Sequence, residues 1–188
     1  MTLPTNLPAP QDDGACKHLA GMTLPALKLY STEDRAVTVS EAASRLAVFF
    51  FYPRSGRPNE PVPEGWDQIP GARGCTPQSC GFRDVYDQFK RLRVQVFGVS
   101  SQSTEFQKEF VERMELPYEI LSDEYFALTE ALRLPTFEFN GMRLIKRLAI
   151  VAEKGRIVKV FYPVFPPDRN AEEVLTWLAT RGGRGPAL

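Results

Sequence analysis

The longest apolar run in the chain is LAVFFFYP, from Leu46 to Pro53, aromatic and β-branched and stopped by proline. A short run without polar interruption predicts a central strand buried on both faces. Upstream, MTLPALKLYSTEDRAVTVSE from Met22 reads as two short strands joined by a polar turn at Ser31 to Arg35. Downstream, Phe82, Val85, Tyr86, Phe89 and Leu92 recur at three- and four-residue steps, which predicts one helix with an apolar face. VQVFGVS from Val94 is the next strand, and Phe106, Phe110, Val111 and Met114 mark a helix ending before Pro117. YEILSD predicts a short strand and EYFALTEAL a short helix. KRLAIVAEKGRIVKVFY predicts a hairpin turning at Lys154-Gly155. Asn170 is placed as the cap of a last helix carrying Val174, Leu175 and Leu178. This order predicts one α/β domain, a mixed central sheet flanked by helices.

Residues 54–74 interrupt the pattern. Four prolines and four glycines, among them Pro70 and Gly74, predict a long irregular loop, and loops of this length are usually functional. Trp66 is expected to anchor it, the alternative being a lid over a site. Phe137 and Phe139, beside Pro135 and Asn140-Gly141, are assigned to the core ahead of a pocket or dimer contact. Residues 1–21, with their Pro, Asp and Gly, are expected to form a loose arm, and 182–188 a frayed tail. The domain proper is 22–181.

Composition narrows the function. The 188 residues suit one domain, and 23 basic against 23 acidic residues leave no global field for nucleic acid. No run of about 18 apolar residues exists, so no membrane span is expected. The first residues lack a basic and then apolar leader, so a cytoplasmic, reducing location is expected, where stable structural disulfides are rare.

The chemistry concentrates in GARGCTPQSCGFRD, residues 71–84, which holds two of only three cysteines, Cys75 and Cys80. Three readings compete: a structural disulfide, half of a metal site, or a redox thiol pair. A Cys16, His18, Cys75, Cys80 site matches no common ligand spacing, so no metal or organic cofactor is expected. His18 is the only histidine, and it lies in the arm, which disfavours a Cys-His hydrolase. Pro77 fits only the first turn of a helix, so Cys75 falls at a helix start. Unpaired N–H groups and the helix dipole favour thiolate there, and Arg73 and Arg83 lie close in sequence. If both cysteines were helical, their Cα atoms would stand roughly 8 to 9 Å apart on different faces. A disulfide needs less than about 7 Å, so joining these thiols would require the first turns to unwind.

FFFYP, GCTPQSCGFRD, KRLAIV and KVFYPVF together resemble the peroxiredoxins of the bacterioferritin comigratory protein, or peroxiredoxin Q, subfamily. The likeness covers roughly residues 20 to 180. It implies a thioredoxin-like fold and a thiol peroxidase for hydrogen peroxide and organic hydroperoxides. Cys75 would be the peroxidatic cysteine and Cys80 the resolving one, closing an intramolecular disulfide. A thioredoxin- or glutaredoxin-type reductant would reopen it, on a monomer or homodimer. Arg147 would stabilise the thiolate and the peroxide, with Lys146 or Arg143 as neighbouring alternatives. Pro53 would shield the site, or Pro70 in its place, and Arg83 would support it.

The sequence departs from the subfamily ahead of Cys75, where a long insertion separates it from Pro53. The position three before Cys75, usually Thr or Ser, is Ala72, and the position seven before, usually proline, is Gln68. Thr76 is the substitute hydroxyl. Cys16 is expected to be a spare thiol. A disulfide reductase without peroxidase activity and a non-enzymatic redox switch are the competing functions.

Overall fold

The computed structural model describes residues 3–182. In chain order the elements are β1 (Lys28–Ser31), β2 (Ala36–Thr38), α1 (Val39–Ala42), β3 (Leu46–Phe51), α2 (Cys75–Asp84) and α3 (Tyr86–Arg91). Then come β4 (Val94–Ser100), α4 (Thr104–Met114), β5 (Ile120–Ser122), α5 (Ala127–Leu132), β6 (Thr136–Phe139) and β7 (Met142–Ile145). β8 (Leu148–Glu153), β9 (Arg156–Phe161) and α6 (Asn170–Gly182) close the fold.

Seven strands form one mixed sheet in the order β2-β1-β5-β4-β3-β8-β9. β3, β4 and β5 run parallel, while β8 and β9 continue the sheet antiparallel on the other side of β3. The apolar run at 46–53 is the middle of this sheet. Its side chains alternate between two cores, as the pleat requires. Ala47, Phe49 and Phe51 join the cluster that holds Leu128 and Leu132 of α5. Val48, Phe50 and Tyr52 join the cluster of Cys75 and Phe82 of α2, Phe110 of α4 and Val174 of α6.

The second cluster sets the position of α2. Phe82 stacks on Phe50 with ring centroids 4.3 Å apart and planes 8° from parallel. Tyr118 meets Phe50 edge-on at 5.7 Å and donates its hydroxyl to the Ser79 carbonyl at 2.7 Å. The helix is therefore fixed to the sheet through its middle, and its first turn bears on the loop that precedes it.

Several elements differ from the sequence expectation. The single helix expected through Leu92 is two, broken at Val85 (φ −112°, ψ 11°), so that Phe89 can return to Phe82 at 5.7 Å. α1 and the β6–β7 hairpin were not anticipated. In that hairpin Asn140 and Gly141 both take positive φ, 49° and 74°, the requirement of a two-residue turn. Phe137 and Phe139 lie in neither main core; they flank Trp66 at 6.2 and 5.0 Å in a satellite cluster with Ala72 and Leu144. That cluster anchors the 54–74 loop to the hairpin.

The expected loose arm is docked. Leu19 and Cys16 are buried in the first core, and His18 Nε2 donates to the Leu132 carbonyl at 2.9 Å. Asp13 accepts from Lys146 Nζ and from the Tyr162 hydroxyl, each at 2.8 Å. Apolar anchors separated by polar residues carry no periodicity, which is why composition alone read as disorder. α6 runs through Gly182, and the rest of the expected frayed tail, 183–188, lies outside the described residues. Asn170 is the first residue of α6, where its side chain bonds Gln78.

Candidate active site

The loop ends and α2 begins at Gly74, whose φ of 106° and ψ of 23° few residues but glycine adopt. A Cβ there would lie 2.3 Å from Pro167 Cγ, so the close approach of the segment before α6 also demands glycine. Cys75 follows as the first helical residue, buried at 5% exposure. The helix start read from Pro77 thus lies at Cys75 itself, and Cys80 follows five residues on within the same helix.

Arg147 reaches this thiol from the connection between β7 and β8, just before Leu148. It is 3% exposed, and its Nη2 donates to Cys75 Sγ at 3.2 Å. The rest of the guanidinium is held by the end of the inserted loop. Nε donates to the Gly71 carbonyl at 3.1 Å, and Nη2 to the carbonyls of Ala72 at 2.9 Å and Arg73 at 3.3 Å. Nη1 donates to Gln78 Oε1, and Gln78 Nε2 donates to Asn170 Oδ1 at 2.9 Å. Gln78 and Asn170 are both fully buried.

Among the described residues Arg147 has no carboxylate within ion-pair distance; carbonyl and amide dipoles and one sulfur surround it. A buried cation without a counter-ion costs several kcal/mol. An anionic Cys75 sulfur is the one full negative charge this cluster itself can supply.

The neighbouring basic residues point elsewhere. Lys146 pairs with Asp13 at 2.8 Å, and Arg143 with Glu130. Arg83 pairs with Asp84 at 2.9 Å and donates to the Met114 carbonyl at 2.8 Å, which puts it near Cys80. Arg73 pairs with Asp67 inside the loop at 3.1 Å. Pro53 is buried at the end of β3, and Pro70 lines a cavity behind Arg147. Ala72 offers its carbonyl where a hydroxyl was missed, and Cys75 Sγ lies 3.7 Å from it.

Cys75 and Thr76 line an open pocket of about 200 Å³ between α2 and the inserted loop. Cys80, half-buried, lines a different hollow bordered by Arg83, Asp168 and Glu172. Thr76 and Pro77 border both spaces and so form the wall between the two thiols. Burial raises the Cys80 thiol above its ordinary pKa, and Arg83 opposes that rise. All three cysteines are free.

Cys16 belongs to the opposite core, where burial, helped by Asp13 and Asp12, pushes its thiol up to about 12. The four residues weighed as metal ligands are therefore not brought together. Among the described residues no group of three or more His, Cys, Asp or Glu could hold a metal ion. No described helix is long and apolar enough to cross a membrane.

Gln78 and Asn170 were not anticipated as members of the site. Gln78 was within reach of sequence reasoning, because three residues along a helix place it on the Cys75 face. Asn170 is 92 residues from Gln78 and carried no such signal.

Parallel β3–β4–β5 strands continued by an antiparallel hairpin and a closing helix are the thioredoxin-like arrangement, and here the thiol stands at a helix start beside the sheet. Residues 19–175 match the Redoxin family model. The chain is 32% identical over 159 residues to the chloroplastic peroxiredoxin Q of Sedum lineare, covering 84% of this chain and 76% of that one. Mycobacterium tuberculosis peroxidoxin BcpB superposes with a TM-score of 0.70 at 24% identity, over 86% of this chain and 96% of that one. The Xanthomonas campestris bacterioferritin comigratory protein gives 0.69 at 22% identity, over 86% and 98%. This chain belongs to the redoxin family and, within it, to the peroxiredoxins of the peroxiredoxin Q type. It is a thiol-dependent peroxidase.

Proposed function

We propose that the protein reduces hydrogen peroxide and organic hydroperoxides with Cys75 as the attacking thiol and Cys80 as the resolving one. The observation that carries this reading is the contact of the buried Arg147 guanidinium with the Sγ of Cys75, a residue that also lines an open pocket. The Cys75 thiolate attacks the outer peroxide oxygen. The S–O bond forms as the O–O bond breaks, and the departing alkoxide or hydroxide takes a proton, leaving Cys75 as a sulfenic acid. Arg147 supplies fixed positive charge where negative charge moves from sulfur to the leaving oxygen.

The Cys80 thiol then displaces water from the sulfenic acid, giving a Cys75–Cys80 disulfide. Because the two thiols face different spaces across Thr76 and Pro77, α2 unwinds at its first turns for this step. A dithiol reductant of thioredoxin or glutaredoxin type returns the pair to thiols by exchange. Such a cycle belongs in a reducing compartment, the cytoplasm in this reading, and is complete within one chain, whether monomer or homodimer. Thr76, which lines the pocket next to Cys75, offers a side-chain hydroxyl to an incoming peroxide, Arg83 tunes Cys80, and Pro53 backs the site.

Peroxide consumption with a thioredoxin system tests the reading, comparing the wild type with Cys75→Ser and Cys80→Ser. Turnover should vanish in Cys75→Ser and stop after one equivalent in Cys80→Ser. A wild type that consumes no peroxide above background would favour a redox switch instead.

A further inference from the structure

Resting on that reading, we infer that residues 10–13 of the arm support the active site, with Asp13 a positioning residue that acts on Arg147 through Pro10 and Lys146. Asp13 is exposed and lines neither cysteine hollow, so its reach is indirect.

The link starts at the end of the inserted loop. Ile69, Pro70, Gly71 and Ala72 form a tight turn, in which the Ala72 N–H donates to the Ile69 carbonyl at 3.1 Å and Gly71 takes a φ of 77°. Proline followed by glycine at positive φ is the type II pattern. The carbonyl of this glycine accepts from Arg147 Nε at 3.1 Å, and the next two carbonyls, of Ala72 and Arg73, accept from Nη2. Whatever fixes the turn therefore fixes the direction of the guanidinium.

Pro10 covers that turn. A Cβ on Gly71 would stand 3.3 Å from Pro10 Cγ, so the proline ring rests on the glycine. Pro10, Gln11, Gly71, Tyr162 and Arg147 all line one cavity of about 210 Å³, so the arm is part of the enclosure behind the guanidinium.

Asp13 ties the cover down. Its carboxylate accepts from Lys146 Nζ and the Tyr162 hydroxyl, each at 2.8 Å, and from the Ala15 N–H at 3.1 Å. Lys146 is the residue before Arg147, and its own N–H donates to the Pro135 carbonyl at 2.8 Å. Asp13 thus clamps the arm to the connection that carries Arg147 and to the end of β9. One exposed ion pair is weak. Three bonds on one carboxylate, with Pro10 three residues away, make the arm a strap over the turn. Released, it would open the back of Arg147 to water and let the Gly71 carbonyl drift, and small misplacements of a catalytic group are costly in rate.

The two halves of the cycle can be timed separately on the full chain: oxidation of the reduced enzyme by hydrogen peroxide, and reduction of the disulfide form by thioredoxin. Asp13→Asn should slow oxidation about fivefold, the worth of one such carboxylate contact. Reduction should be unchanged, because Cys80 faces a different hollow. Asp12→Asn removes the same charge from a carboxylate that accepts from the Gly14 N–H instead of Lys146, and should oxidise at the wild-type rate. Losing a negative charge would by itself strengthen the positive field at Cys75, so slower oxidation reports geometry. An Asp13→Asn enzyme oxidised as fast as the wild type would overturn the inference. So would equal slowing of both halves, or equal slowing in Asp12→Asn. If Asp13→Asn does not fold, Tyr162→Phe, which removes one of the same bonds, is read by the same split. A wild type that hydrogen peroxide does not oxidise would instead remove the peroxidase reading.

Discussion

Arg147 Nη2 lies 3.2 Å from Cys75 Sγ, a contact made across 72 residues of sequence. Its guanidinium is aimed by three loop carbonyls and by Gln78, so the inserted loop serves as scaffold for the arginine as well as wall for the pocket.

Replacing Arg147 by Ala should lower kcat/KM for hydrogen peroxide by about two to three orders of magnitude, the loss typical of removing one preorganised charge-stabilising donor. Arg147→Lys should recover little, because one ammonium cannot span the carbonyls and the sulfur together. Gln78→Leu should slow peroxide reduction less, and should cost about 1–3 kcal/mol of stability by leaving Asn170 Oδ1 and Arg147 Nη1 buried without partners. Stopped-flow rates and denaturant midpoints separate the two effects. An Arg147→Ala enzyme as fast as the wild type would remove the arginine from the chemistry.

Gly74 marks the most constrained backbone position of the site. Gly74→Ala must hold φ near 106° and place a Cβ 2.3 Å from Pro167 Cγ. It should lower stability by about 1–3 kcal/mol and displace Cys75 from Arg147. A thermal midpoint within error of the wild type would show that the segment before α6 yields freely.

Oxidation should leave a footprint in the helix. Amide protection over the first turns of α2 should fall in the disulfide form, while Phe82, stacked on Phe50, keeps the later residues protected. Equal protection in both redox states would contradict a cycle that unwinds the helix.

The arm should respond to acid. Its hydrogen bond to Lys146, with that to Tyr162 adding, lowers Asp13 from 3.8 to about 2. Because the folded value is depressed, the ionised carboxylate contributes stability above the unfolded pKa. That contribution is lost as pH falls from 3.8 toward 2. In a Cys75→Ser/Cys80→Ser background, Cys16 is the only thiol and reports the arm. Its labelling by dithiodipyridine should rise over that range, and in Asp13→Asn it should already be raised at neutral pH. Labelling of Cys16 that ignores both acid and substitution would mean that Leu19 and the core alone hold the arm.

Much of this architecture could be read from the chain. The run at 46–53 alternates into both cores, and Pro77 located the start of α2 to within two residues. The β6–β7 hairpin was also legible, since Asn140-Gly141 between FEF and MRLI is a two-residue turn signal that went unused. What could not be read rests on contacts between distant segments. The arm docks through Leu19 and Asp13, the α2–α3 break follows the Phe50–Phe82–Phe89 stack, and Asn170 meets Gln78 from another helix. The basic residues Arg143, Lys146 and Arg147 look alike in sequence. Their partners, Glu130, Asp13 and Cys75, come from three different segments.

The most direct measurement is one turnover on the Cys80→Ser variant. One equivalent of hydrogen peroxide is added, the sulfenic acid is trapped with dimedone, and the modified residue is located by peptide mass spectrometry. Stoichiometric adduct on Cys75, with Cys16 unmodified, is the predicted result. Adduct on Cys16, or peroxide left unconsumed, would contradict the assignment of Cys75 as the residue that meets the peroxide.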